Sequence, residues 1–117
     1  MKVVIAFVQP FMAAKVVQAL HEVRGLSGAT FTEVRGFGRG RTKDEARPTE
    51  AEVEEELLGT LAKVRVEAMV PDTLADLVVQ TIRDAAHTGN RGDGKVYVSS
   101  IDHAVRISTG EEGEQAV

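Results

Sequence analysis

Hydrophobic positions in the first 35 residues follow three different patterns in turn. Residues 3–8 are a continuous apolar, largely β-branched run that stops before Pro10, as a strand would. From Met12 onward, apolar residues recur every three or four positions, as in a helix with one buried face. This stripe comprises Val16, Val17, Leu20 and Val23. Beyond the glycines that end the helix, residues 29–35 alternate and are rich in β-forming types. The pattern predicts a strand, a helix and a second strand.

The same order returns in the second half of the chain. Residues 62–70 alternate and stop at Pro71, and a second helical stripe follows, comprising Leu74, Leu77, Val78, Ile82 and Ala85. Glycines begin at Gly89, and residues 95–101 have the composition of a fourth strand. A doubled β-α-β unit is typical of the ferredoxin-like arrangement, an α+β fold with a four-stranded antiparallel sheet and both helices on one face. We therefore predict a single domain of this fold over residues 1–117.

A segment spanning residues 35–60 joins the two halves and is far longer than the usual connection in a compact domain. Its first part is glycine-rich and basic, and its second part is acidic. Thr49 and Glu52 have the spacing of a capping box, which predicts a short helix. The composition of the remainder favours a solvated, mobile loop in the unbound protein.

Composition and charge remove several classes of function. A net charge of -4 argues against nucleic-acid binding, which needs a basic surface. The chain has no cysteine, so disulfides and thiolate chemistry are excluded and a reducing cytoplasm is the expected location. No apolar run approaches the roughly 18 residues of a membrane span, so we expect no direct membrane insertion. His21, His87 and His103 lack metal-ligand spacing, and no nucleophile with its base can be assembled. We therefore do not expect an enzyme.

Residues 89–96, GNRGDGKV, have the phosphate-loop spacing G-x-x-x-x-G-K but carry Val96 where Ser or Thr would ligate magnesium. The loop also follows a helix and precedes a strand, the reverse of a true phosphate loop. Its amides can still form an anion nest beside Lys95, and a plain glycine turn is the alternative. A second glycine pair, Gly36 and Gly38, precedes Arg39. Here the backbone and the guanidinium could approach a phosphate, and the alternative is a bulge or bend where the chain leaves the sheet.

Five segments together resemble the PII nitrogen-regulatory signalling proteins over nearly the whole chain. These segments are QPFMAAKVVQAL, TEVRGFGR, KVRVEAMVPD, TGNRGDGKVYV and AVRISTGEEGEQAV. The resemblance implies ferredoxin-like homotrimers that bind ATP or ADP as effectors in clefts between subunits, and magnesium can accompany the ATP. It also implies that the long loop, about residues 37–60, docks on a partner, either a membrane transporter or a metabolic enzyme.

Carried over to this sequence, the resemblance implies two groups of nucleotide contacts. The contacts near the phosphates are Gly36, Phe37, Gly38, Arg39, Gly92, Asp93, Gly94, Lys95 and Arg106. The contacts near the base and ribose are Thr30, Glu67, Met69 and Thr88. Without the resemblance, the alternating pattern of the strand indicates only that Glu67 points outward. The sheet face without helices needs cover by other subunits, and with the homotrimer that the resemblance implies this predicts an obligate trimer.

The chain departs from the family pattern at functional positions. Gly40 stands where the family has a Gln that helps bind magnesium and 2-oxoglutarate, the loop lacks the tyrosine that is uridylylated in many members, and Ser108 replaces a second arginine. Lys63 matches a family lysine that pairs with 2-oxoglutarate. We therefore predict an adenine-nucleotide sensor with little response to 2-oxoglutarate.

The output that such a sensor controls stays open between nitrogen regulation, inorganic-carbon transport and metal transport. A small ferredoxin-like metal-binding or enzymatic module, with glycine turns that serve only structure, is the alternative from another class. Residues 108–117 have the composition of a flexible tail.

Overall fold

The computed structural model describes residues 1–37, 47–59 and 62–117. The strands are β1 (Lys2–Val8), β2 (Thr30–Arg35), β3 (Ala62–Val70) and β4 (Gly94–Ser100). The helices are α1 (Pro10–His21), α2 (Glu50–Gly59) and α3 (Asp72–Ala86), and a short 3₁₀ helix (Gly113–Ala116) follows. Among the helices in these ranges, none has the length and apolar character needed to cross a membrane.

The four strands form one sheet in the order β2-β3-β1-β4, and every neighbouring pair is antiparallel. Helices α1 and α3 pack against each other and against the sheet. Within β1 and β3, buried residues alternate with partly exposed ones, so these helices cover only one face. The element order and the sheet topology confirm the predicted ferredoxin-like α+β fold.

The core between the sheet and the two helices is aliphatic, as expected for a chain with so few aromatic residues. Its largest fully buried side chains are Val4, Val8, Val16, Val66, Val70, Val78 and Ile82. Burying one such side chain contributes about 1.5–3 kcal/mol relative to leaving it in water. Strands β1 and β3 supply half of the described buried hydrophobic residues, so the side chains on their opposite face lie on a well-packed sheet.

That opposite face, which we call the helix-free face, is apolar along β1 and charged along β3. It presents Val3, Ile5 and Phe7 from β1, Lys63, Arg65, Glu67 and Met69 from β3, Thr30, Thr32 and Val34 from β2, and Lys95, Tyr97 and Ser99 from β4. No described element of this chain covers it.

The predicted stripe of α3 is wrong at one position. Leu77 is 51% exposed, and the buried residues of the helix are Ala75, Val78, Ile82 and Ala86. These four share one face at a spacing of three or four residues, whereas Leu77 points about 140° away from its centre at 100° per residue. Two of the four buried residues are small alanines, so the periodicity of large apolar residues wrongly added Leu77 to the buried face.

Residues 104–117 have hydrogen-bonded structure where the sequence predicted a flexible tail from residue 108. The amide of Arg106 donates to the carbonyl of Glu111 at 2.9 Å, and the amide of Gly113 donates to the carbonyl of Ala104 at 2.9 Å. The Val105–Glu112 bridge closes this turn. These two bonds join backbone groups, so a composition rich in Gly and Glu gave no sign of them.

The helix predicted inside the long connection is confirmed as α2. The hydroxyl of Thr49 accepts the Glu52 amide at 3.2 Å, and the Thr49 amide donates to Glu52 Oε1 at 3.5 Å, which is the reciprocal geometry of a capping box. The Arg35 guanidinium, at the end of β2, donates to the carbonyl of Leu57 near the other end of α2. The helix is therefore tied at both ends while its described side chains stay exposed.

Candidate functional site

The loop between α3 and β4 is organised around the Asp93 carboxylate. Asp93 Oδ2 accepts the amides of Thr88 at 2.8 Å and Gly89 at 3.3 Å, and Oδ1 accepts the Thr88 hydroxyl. His87 Nδ1 lies 3.6 Å from Oδ2. Hydrogen bonds from the hydroxyl and then the amide of Thr88 hold the pKa of Asp93 below its usual value. Asp93, predicted near phosphate, thus stabilises the loop from within.

Gly94 is the point at which this loop meets the sheet. Its φ is +106°, and a Cβ built on it would lie 1.8 Å from the carbonyl oxygen of Phe7. Only glycine fits that approach, because the obstacle is the backbone of the neighbouring strand. Just before it, Gln9 Nε2 donates to the carbonyl of Gly92 at 2.6 Å. The loop is therefore fixed to both the end of β1 and the start of β4.

A cleft of about 400 Å³ lies beside this loop. Its walls come from the end of β1, one side of α3 and the start of β4, and its lining residues are Phe7, Val8, Val79, Ile82, Arg83, Ala86, His87, Asp93, Gly94, Lys95 and Val96. The walls are mostly apolar, while Arg83 and Lys95 add positive charge. The structure thus brings the predicted residues Asp93, Gly94 and Lys95 to the edge of a concave surface.

The second glycine segment lies at the same end of the sheet but at the opposite edge. Glu33, Val64, Val8 and Gly94 are successive partners on one row across the four strands. Three strand spacings of about 4.8 Å separate the ends of this row by about 14 Å. Gly36 and Phe37 follow β2 just past this row, so one subunit does not bring the two segments into contact.

Gly36 differs from Gly94 in what surrounds it. A Cβ at Gly36 would meet no atom within 4 Å among the described residues, and its φ lies outside the left-handed region. Phe37 is 84% exposed. Packing within the described chain therefore does not account for a glycine at position 36. The predicted phosphate contacts Gly38 and Arg39, as well as Gly40, lie outside the described residues.

The predicted nucleoside contacts on β2 and β3 share the helix-free face. Thr30 lies directly opposite Glu67, and Met69, two residues further along β3, is 44% exposed. Along β3, residues on the same face are two positions, or about 6.8 Å, apart. Glu67 and Met69 are therefore one and two such intervals farther than Arg65 from the end of the sheet that carries the glycine segments. The predicted base-and-ribose residues and the predicted phosphate residues are thus separated along the strands. Thr88 lies apart, in the Asp93 loop.

Arg106 is held inside the C-terminal turn. Its Nη2 donates to the carbonyl of Gln115 at 3.1 Å, and its Nη1 lies 3.8 Å from Glu111 Oε1. Its side chain is partly exposed, so it keeps donor groups that face water. A predicted phosphate contact at Arg106 stays a prediction.

Sequence reasoning missed Arg65, which contacts a predicted site residue directly. Arg65 Nε donates to Glu67 Oε1 at 2.8 Å, and its Nη2 bonds the same oxygen. The guanidinium carbon lies 5.8 Å from the centroid of the Phe7 ring, which in turn meets Tyr97 edge to face at 6.3 Å. The sequence held a signal for this contact, because Arg65 and Glu67 are two positions apart in a predicted strand and therefore lie on the same face of the sheet.

The fold and this surface define a class: a ferredoxin-like domain with two glycine segments at one end of a sheet that has helices on only one face among the described residues. A sequence model described as nitrogen regulatory protein P-II matches residues 1–111. The nitrogen regulatory protein P-II of Azospirillum brasilense is 42% identical over 118 residues, and nitrogen regulatory protein P-II 1 of Escherichia coli K12 is 41% identical over 117 residues. Both alignments cover the full length of each chain.

A solved structure supports the same relationship. The crystal structure of Arabidopsis thaliana PII bound to citrate aligns with a TM-score of 0.77 and 34% identity, covering 99% of this chain and 91% of that one. The chain therefore belongs to the nitrogen regulatory protein P-II family of signalling proteins.

Proposed function

We propose that this protein is an adenine-nucleotide sensor that binds ATP or ADP in clefts between the subunits of a homotrimer. The observation that carries the proposal is the placement of the two glycine segments, at the same end of the sheet but at opposite edges. The two segments of one subunit are not in contact. A neighbouring subunit that sets its Gly36 edge beside the Gly94 edge would complete one site from two halves.

Each half contributes chemistry suited to a polyphosphate. The Gly92–Lys95 side contributes backbone amides and the Lys95 ammonium, and charge-assisted bonds of this kind are stronger than neutral ones. The Gly36 side contributes a backbone that a phosphate group can approach closely, because Gly36 has no side chain and no described atom lies within 4 Å of its Cβ position. Arg39 and Arg106 would add guanidinium groups. Magnesium accompanying ATP would be held mainly by phosphate oxygens and water, in keeping with its preference for oxygen ligands.

The trimer is supported by the helix-free face. Its apolar β1 side chains and the half-exposed Tyr97 and Met69 form one surface that the chain leaves open. Burying apolar area contributes about 25 cal/mol per Å², so subunits gain from covering this face together. Light scattering at micromolar concentration should give a trimer, and a stable monomer would count against the intersubunit site as well.

The long loop is the proposed contact to a partner, a membrane transporter or a metabolic enzyme. Within it, α2 exposes Leu57 by 63% and Leu58 by 79% alongside its glutamates. In this ten-residue helix every residue whose burial is described is exposed, so the helix gains little stability from packing, and a partner that covers these leucines would stabilise it. We place the protein in the cytoplasm, and we assign the nucleotide the role of effector and not of substrate.

The regulated process is proposed as nitrogen regulation, the process in the names of the relatives. Gly40 and Ser108 favour a divergent response, and the alternative outputs are inorganic-carbon and metal transport. Calorimetry of the full chain with ATP, ADP and AMP tests the proposal. We expect micromolar or tighter binding of ATP or ADP, and the absence of heat with all three nucleotides would refute it.

A further inference from the structure

The side chains of Tyr97, Phe7, Arg65 and Glu67 form a continuous series across three strands of the helix-free face. Tyr97 meets the edge of Phe7, Phe7 lies under the Arg65 guanidinium, and Arg65 bonds Glu67. Arg65 and Glu67 have side-chain exposures of 38% and 25%. The series leads from the β4 edge to a carboxylate among the proposed nucleoside contacts.

The geometry of the ion pair is asymmetric. Both Nε and Nη2 of Arg65 donate to Oε1 of Glu67, and neither donates to Oε2. Within the described chain, Oε2 accepts no hydrogen bond from another group. An ionised carboxylate can only accept, so Oε2 is available to a ligand that donates an N–H or an O–H.

Arg65 itself has little freedom. A guanidinium over an aromatic face is attracted to the ring, and the edge-to-face contact with Tyr97 fixes that ring. Because Arg is planar and keeps its charge, two donors on one oxygen set the direction of the carboxylate as well as its position. A lysine at this position would supply one point charge without that directional control.

We propose that Arg65 is a positioning residue, which aims Glu67 Oε2 at a hydrogen-bond donor of the bound nucleoside. The donor is either the ribose 2′-hydroxyl or the exocyclic amino group of adenine, since both present a proton to a carboxylate. This inference rests on the proposed nucleotide function. It adds a physical origin for the selectivity of the site between ATP and nucleotides that lack this donor. Arg65 need not touch the nucleotide.

The test compares ratios of affinities, because a ratio is insensitive to a general loss of folded or assembled protein. Calorimetry on the full chain measures ATP, 2′-deoxyATP, which lacks the 2′-hydroxyl, and ITP, which has a carbonyl in place of the amino group. Loss of a hydrogen bond to a charged group corresponds to about a ten- to 100-fold change in affinity. The unmodified chain should therefore discriminate against one of the two analogues by about tenfold or more, and that analogue identifies the donor.

In the variant Arg65→Met, the discrimination should fall to about threefold or less, since the carboxylate loses its fixed direction. Arg65→Lys, which retains the charge, should give an intermediate ratio and serves if the methionine variant folds poorly. Glu67→Gln should abolish the discrimination, and the double variant should lose no more than either single variant, as expected for residues that act as a unit. Lys15→Met, which removes a positive charge from the exposed surface of α1, is the matched control and should leave the ratio unchanged.

A full ratio in both Arg65 variants would overturn the inference while leaving nucleotide sensing intact. An equal loss for ATP and both analogues would also overturn it, because it would make Arg65 a direct phosphate contact or a purely structural residue. If the unmodified chain binds ATP without discriminating against either analogue, Glu67 has no such role. If it binds no nucleotide at all, the proposed function fails together with the inference.

Discussion

Replacing Gly94 by alanine should destabilise the fold, whereas replacing Gly36 by alanine should weaken nucleotide binding without destabilising the fold. At Gly94 the new methyl group would lie 1.8 Å from the Phe7 carbonyl oxygen, and φ is +106°. The strained backbone costs about 1–3 kcal/mol. Relief of the clash requires β4 to move away from β1, which weakens the pairing at Val8 by about 1 kcal/mol per hydrogen bond lost. With two such hydrogen bonds lost, we expect a total loss of about 3–5 kcal/mol.

That loss is a large share of the roughly 6–18 kcal/mol expected for a chain of this length. It corresponds to a fall in Tm on the order of 10–20 °C. At Gly36 the methyl group meets no described atom within 4 Å, and φ is not left-handed. Alanine there should leave the unfolding free energy unchanged or raise it by up to about 1 kcal/mol, because it restricts the unfolded chain.

Urea unfolding at fixed protein concentration, followed by ATP calorimetry on each variant, provides the measurement. Gly36→Ala should fold as the parent does and bind ATP at least about tenfold more weakly, since the methyl group would occupy space assigned to phosphate. A Gly36→Ala variant with parental affinity would remove that segment from the site. A Gly94→Ala variant with parental stability would refute the steric reasoning.

Four further predictions concern other parts of the molecule. Lys95→Ala should weaken ATP binding by about 1.5–3 kcal/mol in calorimetry while the urea midpoint barely moves, because one charge-assisted contact is removed from an exposed side chain. Thr49→Val should cost α2 about 1 kcal/mol, visible as faster hydrogen exchange in that helix with unchanged global unfolding. The pKa of Asp93 is lowered in the folded chain. The carboxylate therefore contributes to folding stability above its pKa in the unfolded chain, and this contribution is lost as the pH falls through its pKa in the folded chain. Hydrogen exchange of the Thr88 and Gly89 amides should therefore distinguish Asp93→Asn from the parent at neutral pH, and the two should converge in strong acid. Titration of ATP and magnesium with and without 2-oxoglutarate should show little coupling, since Gly40 offers no side-chain oxygen as a ligand. The variant Gly40→Gln should increase the coupling, and strong coupling in the unmodified chain would contradict this prediction.

The elements that the sequence predicted well depend on short-range chemistry. Alternation located β3 at residues 62–70, the bounds found in the structure. The pair Thr49 and Glu52 predicted α2 because a capping box is complete within four residues. Two β-α-β units in succession predicted the sheet topology, since few arrangements satisfy that order.

The features that the sequence missed depend on distant parts of the chain. Leu77 matches helical spacing as well as Val78 does, and only the packing of α3 on the sheet shows which of them is buried. Likewise, the sequence did not show that the Asp93 carboxylate accepts hydrogen bonds from Thr88 and Gly89, because these contacts depend on how the chain turns after α3. The position near phosphate that the resemblance implies for Asp93 stays a prediction.

Gly36 and Gly94 show why the sequence alone could not separate a structural glycine from a functional one. Both follow or precede a strand, and both lie in segments with the composition of an anion site. The fold supplies a reason for glycine at position 94, because a neighbouring backbone leaves no room for a side chain. The described chain supplies no such reason at position 36. When the fold of the chain does not require the residue type at a position, a ligand or another subunit is the next place to look for the reason.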